Sequence, residues 1–239
     1  MTRTLDGIDL VIFDKDGTLI EFGAMWAGWA VDLAAALERA TGRAVTGSLF
    51  DMLGFDPIAG RVLPGGGLAA TPMARLRDRA AGVLIEAGCT GEGAEAALQT
   101  AWHAPDPVGL ARPLADLAQL FGRLRDGGRR IAVATSDDRD PTERTLAALG
   151  LNGWIGATVC ADDGIPVKPA PDMVLHLCRV LGVAPTRTAV VGDSLADLTM
   201  GRSAGAGLVV GVLSGADDAD ALEPLADLLL ASVADLPTD

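Results

Sequence analysis

At 239 residues the chain is long enough for one large domain, or for one domain carrying a smaller insert. A hydrophobic fraction of 49% supports a proper core, but with 4% aromatics and no Tyr it must be filled by Ala, Leu, Val and Gly, which suits helix-on-sheet packing better than an aromatic-rich β-sandwich. A net charge of −13, spread along the chain without an acidic tail, argues against nucleic acid and anionic membranes as partners, and any anionic substrate would need local positive charge.

In chain order, the first element is the apolar run Asp9–Phe13, read as a buried strand. From about Leu19 to Pro113 no convincing strand follows. Helical patterns cover Met25–Thr41, a stretch opened by Thr71 and Pro72 and running to about Gly88, and Gly91–His103. Trp26 and Trp29, three apart on one helical face, are read as packing residues, with lining of the active site as the alternative, and Pro64–Gly67 as a flexible connector or a loop over the site. Ala104–Pro107 and Ala111–Pro113 mark the return linker. Strands are then expected at Arg130–Ala134, Ala157–Cys160, Thr188–Val191 and Leu208–Leu213. The helices between them are predicted to begin at the cap Asp140 with Pro141 and Glu143 behind it, at Pro171, and at Ser194; Gly150 and Gly182 close the first two.

Strands alternating with helices predict an α/β fold, a doubly wound parallel sheet, with an inserted all-helical cap domain. The expected boundaries are 1–18 and 107–239 for the core and 19–106 for the cap. Cys89, Cys160 and Cys178 are too few and too widely spaced for a disulfide framework or a zinc site, and are expected to be buried thiols. The first ten residues lack the pattern of a signal peptide, and no apolar run reaches the roughly 20 residues of a membrane span. A cytoplasmic protein, monomeric or homodimeric, is expected.

Ligands of open α/β sheets bind outside the carboxyl ends of the strands, so the residues after each strand carry the functional reading. After the first come Asp14-Lys15-Asp16-Gly17-Thr18-Leu19. Two carboxylates two residues apart would repel each other, and a divalent cation with a taste for oxygen, such as Mg2+, removes that penalty. Gly17 allows a sharp turn and brings its N–H near an anion; plain turn chemistry is the alternative. After the second come Thr135, Ser136 and Asp137, able to hold phosphate oxygens or simply to cap a helix. Past the third, prolines stiffen the backbone around Lys168, which supplies the positive charge or is a solvated surface lysine. After the fourth, Asp193 can reach a metal, while Asp197, three residues past Ser194, also fits a capping box.

As a set, these residues resemble the four motifs of the haloacid dehalogenase-like hydrolase superfamily, with a helical insert similar to the cap of its phosphoglycolate phosphatase-like branch. The resemblance implies a phosphatase acting on a small soluble phosphate ester: phosphoglycolate, a sugar phosphate or a nucleotide. It implies Asp14 as nucleophile and Asp16 as general acid and base, with Gly17, Thr135, Ser136 and Lys168 at the phosphate. Mg2+ would be bound by Asp14, Asp16 (through its main-chain carbonyl) and Asp193, with Asp197 behind them. Asp16 argues against a dehalogenase, and Thr18 against a phosphomutase of the β-phosphoglucomutase type, whose first motif usually has Val there. A non-enzymatic phosphate-binding protein on this fold is the reading from another class; the presence of Asp14, Asp16, Lys168 and Asp193 speaks against it. Two departures stand out: Lys15 occupies a position that is more usually apolar, and Asp137 and Asp138 add acids close to the expected phosphate site.

Overall fold

The computed structural model describes residues 4–63, 66–71, 73–103, 106 and 108–238. The described chain starts its regular structure with β1 (Leu10–Phe13), continues through a helical block, and then alternates strand and helix. The block holds α1 (Phe22–Thr41), α2 (Thr46–Leu53), β2 (Phe55–Asp56), β3 (Arg61–Val62), α3 (Gly67–Ala70), α4 (Met73–Glu86) and α5 (Gly91–Ala101). After it come α6 (Leu117–Asp126), β4 (Arg130–Ala134), α7 (Arg139–Ala148), β5 (Ala157–Val159) and α8 (Asp172–Leu181). The chain ends with β6 (Thr188–Gly192), α9 (Leu195–Ser203), β7 (Leu208–Val212), α10 (Ala219–Leu222) and β8 (Leu228–Leu230). It divides into two compact units, residues 1–22 with 111–239, and residues 23–110.

In the first unit six strands form one parallel sheet in the order β5-β4-β1-β6-β7-β8. Side chains alternate across a strand, so each strand feeds two cores. Val11, Phe13, Ile131, Val133, Val191 and Val210 pack with Leu120, Phe121 and Leu124 of α6 on one face. Leu10, Ile12, Ala132, Ala134 and Val190 pack with Met173, Val174 and Leu177 of α8 and Met200 of α9 on the other. This burial on both faces is why the strands read as continuous apolar runs. From β1 the chain winds outward one way through β4 and β5, then returns to β6 and winds the other way. The direction therefore reverses between β1 and β6, and a crevice opens beyond their carboxyl ends.

The second unit is mainly helical. Trp26 and Trp29 are buried, as the packing reading expects. Their rings meet edge to face with centroids 5.6 Å apart, and Trp29 meets Trp102 at 5.2 Å in the same way. The Trp29 indole donates to the His103 carbonyl at 2.6 Å.

Several expectations need correction. The insert is not wholly helical: β2 and β3 form an antiparallel pair two residues long, too short to leave a periodic signal. Helices α2 and α6 and strand β8 add to the expected elements. Helix α7 starts earlier than predicted, with Asp138 at its N-cap, so Pro141 falls in the third helical position. Cys89 is only partly buried, whereas Cys160 and Cys178 are buried, and all three are free thiols. The expected connectors at Pro64–Gly67 and Ala104–Pro107, and the helix opening at Pro72, lie partly or wholly outside the described residues. Among the described residues no helix is long and apolar enough to cross a membrane.

Candidate active site

Sheet pairing continues one residue past each of two neighbouring strands and so places the first loop residue of each. The Asp14 N–H donates to Val191 O at 2.9 Å, and the Thr135 N–H donates to Val159 O at 3.0 Å. Asp14 thus stands at the carboxyl end of β1 beside the switch point, with Thr135 at the end of the adjacent β4.

Lys168 is buried and aims its ammonium at two carboxylates, Asp14 Oδ1 at 2.5 Å and Asp197 Oδ1 at 2.6 Å. It is no solvated surface lysine: burial works to lower its pKa, but Asp14 and Asp197 together raise it, so the charge is retained. Asp14 keeps 11% of its side chain accessible, which leaves the carboxylate open to a ligand. Burial chiefly, with the charges of Asp197 and Asp16, pushes Asp14 up to about 6 against the pull of Lys168. Asp193, also buried, is driven well above the usual carboxylate range by burial, then by Asp14 and Asp197.

Asp193 is held from two loops. Thr18 donates its hydroxyl to Oδ1 at 3.1 Å, and the Ala216 N–H donates to Oδ2 at 2.7 Å. Asp217 completes the brace: its N–H donates to Asp193 O at 3.1 Å, and its carboxylate accepts from Leu195 N–H at 2.7 Å. Ser214 ties the two loops together by donating to Gly17 O at 2.7 Å. The loop after β7, residues 214–217, was not singled out from sequence, although the same rule of reading past each strand applies to its Ser-Gly-Ala-Asp.

Gly17 corrects one expectation. Its N–H donates to Ile20 O at 2.7 Å and is used inside the loop rather than offered to an anion. What requires glycine is space: φ is 85°, and a Cβ would collide with the Asp193 carboxylate. A Cβ on Gly215 would collide with the same carboxylate oxygen.

Asp197 fills the capping role expected of it. With Ser194 it forms a capping box at α9, and its other oxygen faces Lys168. The Thr135 hydroxyl accepts from the Asp137 N–H at 3.1 Å, which leaves its own hydrogen free to donate. Ser136 lies between them, partly exposed. The Asp16 carboxylate is paired with the Lys15 ammonium, its oxygens at 2.7 and 2.9 Å.

Asp14, Asp193 and Asp197 offer oxygens that all lie within 4.8 Å of one another. Counting the neighbouring Asp16 and Asp137, five carboxylates face only two ammoniums, Lys15 and Lys168. An all-oxygen donor set with excess negative charge fits a hard divalent cation. The raised pKa values of Asp14 and Asp193 come first from burial and then from the neighbouring acids, and a bound cation would offset both.

Residues 8–205 match the family of haloacid dehalogenase-like hydrolases. The chain belongs to that family. Within it, the chain is 30% identical over 200 residues to a phosphoglycolate phosphatase of Rhodospirillum rubrum, covering 84% of this chain and 78% of that one. It is 26% identical over 196 residues to a phosphoglycolate phosphatase of Aquifex aeolicus, covering 82% and 81% of the two chains. This haloacid dehalogenase-like hydrolase also shares its fold with a HAD phosphatase of Thermococcus onnurineus, at 22% identity and TM-score 0.66, covering 95% and 94%. A second fold relative is CbbY of Rhodobacter sphaeroides, solved in complex with phosphate, at 23% identity and TM-score 0.61, covering 96% of each chain. The chain is a phosphatase of the phosphoglycolate phosphatase-like branch.

Proposed function

We propose that the protein is a Mg2+-dependent phosphatase that moves the phosphoryl group of a small soluble phosphomonoester onto Asp14 and then to water. The observation that carries this reading is the Lys168–Asp14 ion pair at the switch point, beside the carboxylate of Asp193. Asp14, Asp193 and the Asp16 carbonyl would hold Mg2+, which would neutralise charge on the phosphoryl oxygens and bring the nucleophile and phosphate together.

Asp14 attacks phosphorus in line, forming an aspartyl-phosphate as the bond to the ester oxygen breaks. Asp16 gives its proton to the departing alkoxide, then takes one from the water that hydrolyses the acyl phosphate. The Lys168 ammonium and the Thr135 hydroxyl donate to the phosphoryl oxygens, with Ser136 beside them. Asp197 keeps Lys168 aimed at the Asp14 side of the site, a contact of 2.6 Å. Thr18 and the 214–217 loop fix the Asp193 rotamer, so that this acid does not reorganise during turnover.

Phosphoglycolate comes first among the candidate substrates, ahead of sugar phosphates and nucleoside monophosphates; relatives named phosphoglycolate phosphatase support that order. The test is a phosphate-release screen of these esters with Mg2+, run on wild type and Asp14→Asn. We expect Mg2+-dependent release by wild type and a loss of at least ~1,000-fold in Asp14→Asn with unchanged circular dichroism. Retention of more than a few per cent of the rate would rule out Asp14 as the nucleophile.

A further inference from the structure

Lys15 is the largest charged side chain that the site buries completely without a part in the proposed chemistry. A buried ammonium is costly unless it is paired and hydrogen-bonded. Here the partners are specific: both oxygens of Asp16, at 2.7 and 2.9 Å, and Asp137 Oδ2 at 3.2 Å. Opposite charge on two carboxylates holds the Lys15 pKa up although burial opposes it.

Asp137 is itself fixed from three directions. Its N–H donates to the Thr135 hydroxyl at 3.1 Å, its Oδ1 accepts from Asp138 N–H at 2.9 Å, and its carbonyl accepts from Ala161 N–H at 2.9 Å. The Lys15 carbonyl is fixed as well, accepting from Leu19 and Ile20 N–H at 2.9 and 3.1 Å. The ammonium therefore links Asp16 on the β1 loop to a rigid anchor on the β4 loop. The two departures seen in the sequence, an unexpected lysine and an unexpected acid, compensate each other.

We propose that Lys15, anchored by Asp137, is a positioning residue that sets the orientation of the Asp16 carboxyl for proton transfer to the leaving group. Lys15 has no accessible surface and does not touch substrate, so it acts only through Asp16. This rests on the phosphatase reading and on Asp16 as its acid.

Leaving-group dependence separates positioning from a merely structural role. A nitrophenolate departs without a proton, whereas an alkoxide needs one, and proton transfer contributes about 100- to 10,000-fold. The measured quantity is kcat/KM, which covers steps up to departure of the alcohol and excludes the later hydrolysis of the acyl phosphate. The substrates are p-nitrophenyl phosphate and the best alkyl phosphate from the screen. Lys15→Met alone would strand Asp137, so the main variant is Lys15→Met with Asp137→Asn.

The double variant should lose roughly 10- to 100-fold on the alkyl ester and stay within about 3-fold of wild type on p-nitrophenyl phosphate. Asp137→Asn alone, which keeps the Lys15–Asp16 pair, should show the same split at about 3-fold. In an Asp16→Asn background the double change should add nothing. Equal losses on both esters, no loss on the alkyl ester, or a further loss in the Asp16→Asn background would overturn the proposal. A wild-type protein that hydrolyses neither ester would instead refute the phosphatase reading itself.

Discussion

The two units bury different things. Every buried charged side chain among the described residues belongs to the sheet unit: Lys15, Lys168, Asp193, Asp197 and Asp217. The inserted unit is held together by apolar packing around Trp26 and Trp29, and it leaves Val31, Ile58, Leu63, Ile85, Val108 and Leu110 exposed. Buried charge is electrostatically expensive and persists where function holds it, so the contrast separates a part built for chemistry from a part whose stability is ordinary packing. Substitutions in the sheet unit's charged cluster should change catalysis far more than the core volume they remove would account for. Substitutions in the insert should change stability in proportion to the packing and hydrogen bonding they remove.

The largest effect is expected at Lys168. Lys168→Met leaves Asp14, Asp193 and Asp197 together without their cation. We expect kcat to fall by about 100- to 10,000-fold and metal-free stability to fall by about 3–5 kcal/mol, read from denaturant melts. A variant that keeps its rate would break the division between the two units.

Metal and pH come next. Asp14 is raised from 3.8 to about 6 in the folded protein, so the folded state holds that proton more tightly than the unfolded chain. Its contribution to stability is complete below the unfolded value and is lost as pH climbs through about 6, a change on the order of 3 kcal/mol. Asp193 shifts in the same direction. Mg2+ needs the ionised form, so its addition should raise Tm more at pH 7.5 than at pH 5, and EDTA should abolish both the gain and the activity. An equal Tm rise at the two pH values would show that these acids do not bind the ion.

Gly215→Ala should cost about 1–3 kcal/mol, because the new methyl meets the Asp193 carboxylate, and should lower kcat by shifting that acid. Trp29→Phe in the insert removes the hydrogen bond to His103 O and should cost about 1–2 kcal/mol with kcat nearly unchanged. A Trp29 variant that lost activity without losing stability would give the insert a direct part in the chemistry.

The same contrast governs what the sequence revealed. Strands β1, β4 and β6 are buried on both faces and end in short polar sets, so Asp14, Thr135 and Asp193 stood out by position alone. Long-range pairings left no such trace. Lys15 and Asp137 are 122 positions apart, and only the pairing of β1 with β4 brings their loops together. The brace from Ala216 and Asp217 likewise depends on β6 lying next to β7. Strand β8 is three leucines, half-buried and too short a run to be told from a stretch of helix or loop by its pattern. In the insert, packing by single tryptophans gave helices their approximate extent but no chemistry to follow.

The most direct test traps the covalent intermediate. The enzyme is mixed with Mg2+ and excess substrate, quenched in acid, reduced with borohydride and digested, and the peptide spanning residues 10–20 is sequenced by mass spectrometry. A reduced acyl phosphate at position 14, homoserine in place of aspartate, is the predicted result. Continued turnover with position 14 unmodified and the reduced product at another side chain, or at none, would contradict the account.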